Sequence, residues 1–446
     1  MSFKKKLLLP IITMIVTGGC KNSFDAPQVS AGNADFTHFV ALGGFFTAGF
    51  GDGALHYELQ KNSFPAILAS KFELVGGGLF KQPMVNPGAG LYYDINFTLA
   101  SKLSLTIEND CKGKQALVTS RSSGDVSNET WIGMQGPYNN LGVPGAKCFN
   151  LAQNTFGRSL PLGNPYYHRF AFDFVTSSTI LDEVAKVNPT FFVLWVGNED
   201  VWQYAKSGGV GNLNSFGVND ITPVDTFLSA YKGILNKLFA GNISKGAIAN
   251  IPDINCFPFF TEIPYNGLQL TTTQADSLNS ISTGFVFHPG ANAFVVYPPN
   301  SSTPKQLGQG EYVLLSVPKD SINCAGWGMP QHPIPDYYIL DSSEVNNVQS
   351  YTAQYNTIIN LSAIQNNLAF VDMQSFFRKY KSAQLFNGVS NTSQFLRNSI
   401  FSYDGIYTNS RGNACIANEF INAINEKYSS TLPGVDVNAF RGNVLP

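Results

Sequence analysis

An α/β fold, with a parallel sheet covered by helices on both faces, is predicted from three observations. Short apolar runs alternate with segments of helical period along the chain. The longest run, Phe191 to Val196, is apolar without interruption, as a strand buried on both faces must be. The segments between the runs, such as Phe227 to Phe239, keep one apolar face.

Taken in order, Phe39-Val40-Ala41-Leu42 reads as the first buried strand and runs into a glycine-rich turn. Phe191 to Val196 reads as a central strand. Ala247 to Ile251, Tyr312 to Val317 and Ala369 to Met373 are further strand candidates. Helices are predicted over Phe227 to Phe239, over a stretch carrying Val345, Val348, Tyr355 and Ile359 as far as about Leu368, and over Cys415 to Tyr428. Residues 76–140 and 255–310 are rich in Gly, Pro, Asn, Ser and Thr with weak periodicity, and read as insertions on one side of the sheet. The expected organisation is therefore a leader (1–19), a tether (20–35), one domain (36–430) carrying these two insertions, and a C-terminal tail (431–446).

The leader is read from its chemistry. Lys4, Lys5 and Lys6 precede an apolar stretch from Leu7 to Val16, which is too short to span a bilayer and is followed by Thr17-Gly18-Gly19-Cys20. Small residues ahead of a cysteine resemble a bacterial lipobox, which implies cleavage before Cys20 and lipidation of its thiol. An ordinary signal peptide with a chance cysteine fits the same regions. The polar residues that follow read as a tether, and the lipid on Cys20 is the expected membrane anchor.

Composition excludes some classes. Hydrophobic residues make up 44% and charged residues 13%, too apolar for a disordered chain and too poor in charge for a nucleic-acid binder. Of 28 basic residues three would leave with the leader, so 25 remain against 30 acidic. Five further cysteines (Cys111, Cys148, Cys256, Cys324, Cys415) in an exported chain make Cys111–Cys148 and Cys256–Cys324 plausible bridges with Cys415 left over; spacing does not decide pairing, and free buried thiols are the alternative. No Cys/His cluster suggests a metal, and no cofactor motif is present; Gly76-Gly77-Gly78 lacks the Lys-Ser/Thr of a phosphate loop.

Four segments carry a more specific signal. They are His38 to Gly49 (strand, then Gly43-Gly44-Phe45-Phe46-Thr47-Ala48-Gly49), Asn140-Leu141-Gly142-Val143-Pro144-Gly145, Trp195-Val196-Gly197-Asn198-Glu199-Asp200, and Tyr403-Asp404-Gly405-Ile406-Tyr407-Thr408 ahead of the last helix. In this order they resemble the four blocks of the SGNH/GDSL hydrolases: Gly-Asp-Ser-x-Thr-x-Gly, a glycine block, Gly-x-Asn-Asp and Asp-x-x-His. The resemblance covers about residues 36 to 428. It implies a flavodoxin-like three-layer fold with a parallel central sheet. It also implies acyl ester hydrolysis by a serine, a histidine held by an aspartate, and an oxyanion hole of two backbone N–H groups and an asparagine. In length and style the chain further resembles SGNH lipoproteins of Bacteroidota.

The residues at those positions cannot do that chemistry. Phe45 stands at the serine position and offers no nucleophile; Gly44 stands where the neighbouring aspartate belongs. Glu199 replaces the asparagine, and an ionised carboxylate repels an oxyanion. Tyr407 replaces the histidine, and an unperturbed phenol of pKa about 10 is a poor base at neutral pH. Gly142 and Asp404 keep the family's residue types. Loss of the nucleophile or base costs on the order of 10⁶ in turnover, and loss of one oxyanion donor about 10² to 10³. No catalytic residue is therefore expected; Glu199 is expected to hydrogen-bond Tyr407, and Phe45 to fill the former substrate space. His38, His56, His168, His288 and His332 are scattered, and no motif supports a distant serine such as Ser63.

The expectation is a catalytically inactive SGNH/GDSL-like lipoprotein of the outer membrane, facing the periplasm or the cell surface. Lys21 after the lipidated cysteine is compatible with outer-membrane sorting. Its natural partner would be a barrel protein or a multi-subunit outer-membrane complex, contacted through the two insertions. An active esterase or lipase with a displaced nucleophile is one alternative. A module that holds an acyl chain or glycan without cutting it is another.

Overall fold

The computed structural model describes residues 28–446 apart from 95, 123, 125, 127–129, 174–177, 242–244, 282–283 and 300. The leader, Cys20 and residues 21–27 of the tether lie outside the described residues. Residues 28–35, read as tether, lie against the domain: the Asn33 N–H donates to the Tyr428 carbonyl at 2.8 Å and Thr431 N–H to that of Ser30 at 2.9 Å.

Five strands make the central sheet: β1 (Phe39–Gly43), β2 (Asn140–Gly142), β3 (Phe191–Trp195), β4 (Lys245–Ala249) and β5 (Ala369–Val371). Every neighbouring pair is parallel and the order is β2-β1-β3-β4-β5, the flavodoxin-like doubly wound arrangement. Strands β1 and β3 are buried at every position, which is why they read as unbroken apolar runs.

The helices that matter for the site are α1 (Phe45–Ala48), α2 (Phe64–Phe72), α3 (Ile180–Val187), α4 (Asn198–Lys206), α5 (Val224–Phe239), α6 (Ser342–Gln365) and α7 (Ser410–Tyr428). Helices α2 and α7 pack together on one face of the sheet, and α3, α5 and α6 cover the other. The three layers implied by the resemblance are thus present. Local chemistry starts these helices: Asp341 and Glu344 form a capping box on α6, and the Asn409 side chain accepts the Gly412 N–H at 2.9 Å to begin α7.

Three expectations need correction. Tyr312–Val313 pairs antiparallel with Ile339–Leu340 and is not part of the central sheet; an apolar run does not say which sheet it joins. The second excursion has a core of its own, from Leu268 through Phe294 and Val296 to Ile339, so it reaches beyond residue 310. The disulfide joins Cys111 to Cys324 across 213 residues, linking the two excursions, while Cys148, Cys256 and Cys415 are free and buried.

Candidate functional site

The parallel order reverses direction at β1, whose neighbours are β2 and β3. In an open α/β sheet the crevice beyond the strand ends at such a switch point is where ligands bind. Gly43 lies opposite both Gly142 and Trp195, so the segments following β1 and β3 and the end of β2 meet at one edge. The first three motif segments converge there, and Tyr407 enters from the loop before α7.

Side chains fill this edge. The Phe45 ring stacks on Tyr407, with centroids 4.7 Å apart and planes 17° apart, and Phe50 meets both edge-on. Phe46 stacks on Trp195 at 4.6 Å and meets Tyr407 edge-on at 5.3 Å. The first excursion adds Tyr92 and Arg121: the guanidinium lies 4.0 Å over the Tyr92 ring and donates to the carbonyls of Gly53 and Ser101 at 2.8 and 2.7 Å. Beside Gly142, between Asn140, Leu55, Tyr166 and Phe170, lies a cavity of about 10 Å³, room for one water.

The backbone donors of this edge are spent. The Phe45 N–H donates to Glu199 Oε1 at 3.1 Å, and the Gly142 N–H to Asn140 Oδ1 at 3.0 Å. Gly142 therefore does not present its N–H to a ligand, as its residue type suggested. Glu199 sits in the first turn of α4, reached through Gly197 at φ 110°, a conformation that favours glycine. A Cβ on Gly44 would stand 2.3 Å from Glu199 Oε1, so the loss of a side chain at 44 and the carboxylate at 199 belong together.

Glu199 does not bond Tyr407, contrary to expectation. The Tyr407 hydroxyl accepts instead from Lys206 Nζ at 3.1 Å, and the same ammonium lies 4.8 Å from the Phe45 ring centre. Sequence reasoning missed Lys206. The signal was available: it follows Glu199 by seven residues, two turns along one helix, on the same face. Asp404 does not face the Tyr407 side chain. Its carboxylate accepts the backbone N–H groups of Gly53, Ile406 and Tyr407 at 2.8–2.9 Å and so fixes the loop that delivers Tyr407.

Burial dominates the titration of this cluster. It pushes the Glu199 carboxyl up to about 7, against the Phe45 N–H and Lys206, which favour the anion. It brings the Lys206 ammonium down to about 8, against the attraction of Glu199 and Asp404. Burial also raises Tyr407 well above an ordinary phenol, making it still less able to act as a base. Asp200, buried and raised to about 6, accepts the Cys148 N–H at 2.8 Å.

No protein-family model and no curated protein sequence matches the chain. Among solved structures, it is similar to the acetylxylan esterase Axe2 from Geobacillus stearothermophilus (9% identity, 88% of this chain and 95% of that one, TM-score 0.35). It is also similar to LAE5, an α/β hydrolase from the metagenome of Lake Arreo (10%, 88% and 96%, 0.37). A third is a protein described as a GDSL-like lipase from Parabacteroides merdae (9%, 89% and 98%, 0.35). Likeness at this level speaks to neither family nor activity.

The scattered histidines do not gather here. His38 Nδ1 lies 3.1 Å from the Val187 carbonyl and His168 Nδ1 2.9 Å from that of Gly157. His56 is buried with Nε2 3.4 Å from Asp52 Oδ2. Ser63 is buried and donates to Gln82 Oε1 at 3.2 Å, an amide rather than a base. Among the described residues no helix is long and apolar enough to cross a membrane.

Proposed function

We propose that this chain is a catalytically inactive, SGNH-hydrolase-like lipoprotein of the outer membrane, serving as a binding or accessory subunit of an outer-membrane complex. One observation carries the first half. At the end of β1, where the resemblance calls for a nucleophile, stands the Phe45 ring stacked on Tyr407, with its N–H already bonded to Glu199. A reacting carbonyl needs an attacking atom, a base and free donors at the position its oxygen will occupy. Here the corresponding groups are a hydrocarbon ring, a phenol and two N–H groups engaged by Glu199 and Asn140.

The membrane half rests on the first twenty residues, with Cys20 as the lipidated residue. The accessory role rests on the excursions, which are large, joined by the Cys111–Cys324 bridge, and carry the exposed side chains of Leu79, Met134, Ile281 and Val286. A barrel protein or another subunit of an outer-membrane assembly is the partner this reading calls for.

The test compares the native protein with the triple variant Phe45→Ser, Glu199→Asn, Tyr407→His on short-chain p-nitrophenyl esters, together with fluorophosphonate labelling. The native chain is expected to show neither turnover nor label. Stoichiometric labelling of any serine in the native chain would sink the proposal and restore an esterase with a displaced nucleophile.

A further inference from the structure

Far from Phe45 in the sequence, the C-terminal residues close over the start of α7 and leave a cleft of about 510 Å³. That is within the size range of small-molecule sites. Its walls are the loop Leu396–Ser399 and the segment Asn438–Leu445, and Arg411 lies between them. The lining includes Arg397, Arg411 and Arg441 and contains no aspartate or glutamate. None of the three arginines forms an ion pair among the described residues. The acidic residue nearest Arg441 in sequence, Asp436, accepts the Asn438 N–H at 3.0 Å, and Asp404, nearest to Arg397 and Arg411, accepts the backbone N–H groups of Gly53, Ile406 and Tyr407.

The cleft is built rather than incidental. Asn443 ties the tail to the loop, donating to the carbonyls of Leu396 and Phe401 at 3.2 and 2.9 Å and accepting from Asn409 at 3.1 Å. Arg411 Nε donates to the Phe440 carbonyl at 3.3 Å, which leaves its two terminal nitrogens for another acceptor. Arg397 is flanked by Leu396 at φ 66° and Asn398 at φ 50°. A leucine in the left-handed region is uncommon and costs free energy, and such strain collects where a side chain must be presented. The chain as a whole carries 28 basic and 30 acidic residues, so a lining whose charged side chains are all cationic is not a by-product of a basic protein.

We infer that this cleft is an anion site for a phosphoryl group, with Arg397, Arg411 and Arg441 as its ligands. Guanidinium groups recognise carboxylate and phosphate through paired N–H donors. Three arginines lining one cleft offer more donors than the two oxygens of one carboxylate accept. A phosphate monoester presents three terminal oxygens and up to two charges. The volume leaves room for the group that bears the phosphate, whether a small solute or a lipid headgroup.

Calorimetric titration of the full chain with inorganic pyrophosphate at low ionic strength tests this directly. Saturable one-to-one binding is expected, with a dissociation constant below about 1 mM. Arg397→Gln and Arg441→Gln should each weaken it about tenfold, the loss of one charged hydrogen bond. Arg397→Lys, which keeps the charge but not the fork, should weaken it less. A water-soluble short-chain phosphatidic acid separates the two sources. Binding tighter than pyrophosphate marks a headgroup, and weaker binding marks a free phosphorylated solute. Absence of saturable binding by either probe, or affinity unchanged in the folded double variant, would overturn the inference.

Discussion

The edge of the sheet at Phe45 and the cleft at Arg411 divide the molecule's polar chemistry unequally. Around Phe45 rings stack and the N–H groups of Phe45 and Gly142 are both taken, while Glu199 Oε2 and Thr47 Oγ1 are buried without a partner among the described residues. Under the tail three guanidiniums line about 510 Å³ without a carboxylate among them. A sheet edge at a topological switch point is the expected place for a ligand, yet here it is packed like a core. Position in a fold marks where a site can be built, and the unspent donors mark where one is. If this contrast is right, substitutions at the first region should cost stability, and those at the second should cost binding.

The largest cost is expected for Phe45→Ala. It removes a ring held between Tyr407, Phe50 and the Lys206 ammonium. Because Phe45 is only partly buried, the loss should be about 2–3 kcal/mol, below that of a fully buried phenylalanine. Urea unfolding measures it; a loss under about 0.5 kcal/mol would mean that the ring is displaceable and the edge is a closed but usable pocket. Lys206→Met comes next, at about 1–2 kcal/mol, because the buried Tyr407 hydroxyl loses its donor. The same unfolding experiment checks it, and Lys206→Arg should recover part of the loss.

A pH signature follows from Glu199. Its carboxyl is raised in the folded protein to about 7, so between the ordinary carboxylate range and neutrality the folded state holds a proton that the unfolded chain has released. That contribution is complete at pH 4 and is lost as pH rises through about 7. Glu199→Gln keeps an acceptor for the Phe45 N–H without a charge to desolvate. The variant should therefore gain on the native protein by on the order of 1–2 kcal/mol at pH 8 and by little at pH 4.5. A difference that does not change with pH would place the carboxylate in contact with water.

Much of the fold was legible because burial writes itself into composition. Strands β1 and β3 are fully buried and stand out as apolar runs. The edge strand β2 did not, since it is three residues long, begins with Asn140 and owes its existence to pairing with β1. The motif positions that meet at the sheet edge were readable from order alone: Phe45, Gly142, Glu199 and Tyr407 do converge. Their bonding was not, because it depends on angles that spacing does not encode, so Lys206 and Asn140 were overlooked as the partners of Tyr407 and Gly142. The arginine cleft was invisible for a related reason. Its three cations sit at 397, 411 and 441, in no motif, and the segment carrying the last was read only as a tail.

The smallest stability effect is expected where the binding effect is large. Arg441→Gln removes one of three like charges that form no ion pair among the described residues, so in the absence of ligand the substitution relieves repulsion instead of breaking a bond. Unfolding of the unliganded protein should shift by no more than about 0.5 kcal/mol, toward greater stability at low salt. The difference should vanish as salt shortens the screening length to about 3 Å near 1 M. A loss above about 1 kcal/mol that persists in high salt would show the opposite arrangement. Arg441 would then be a clasp holding the tail on α7, and its charge would be spent on the fold just as the donors around Phe45 are.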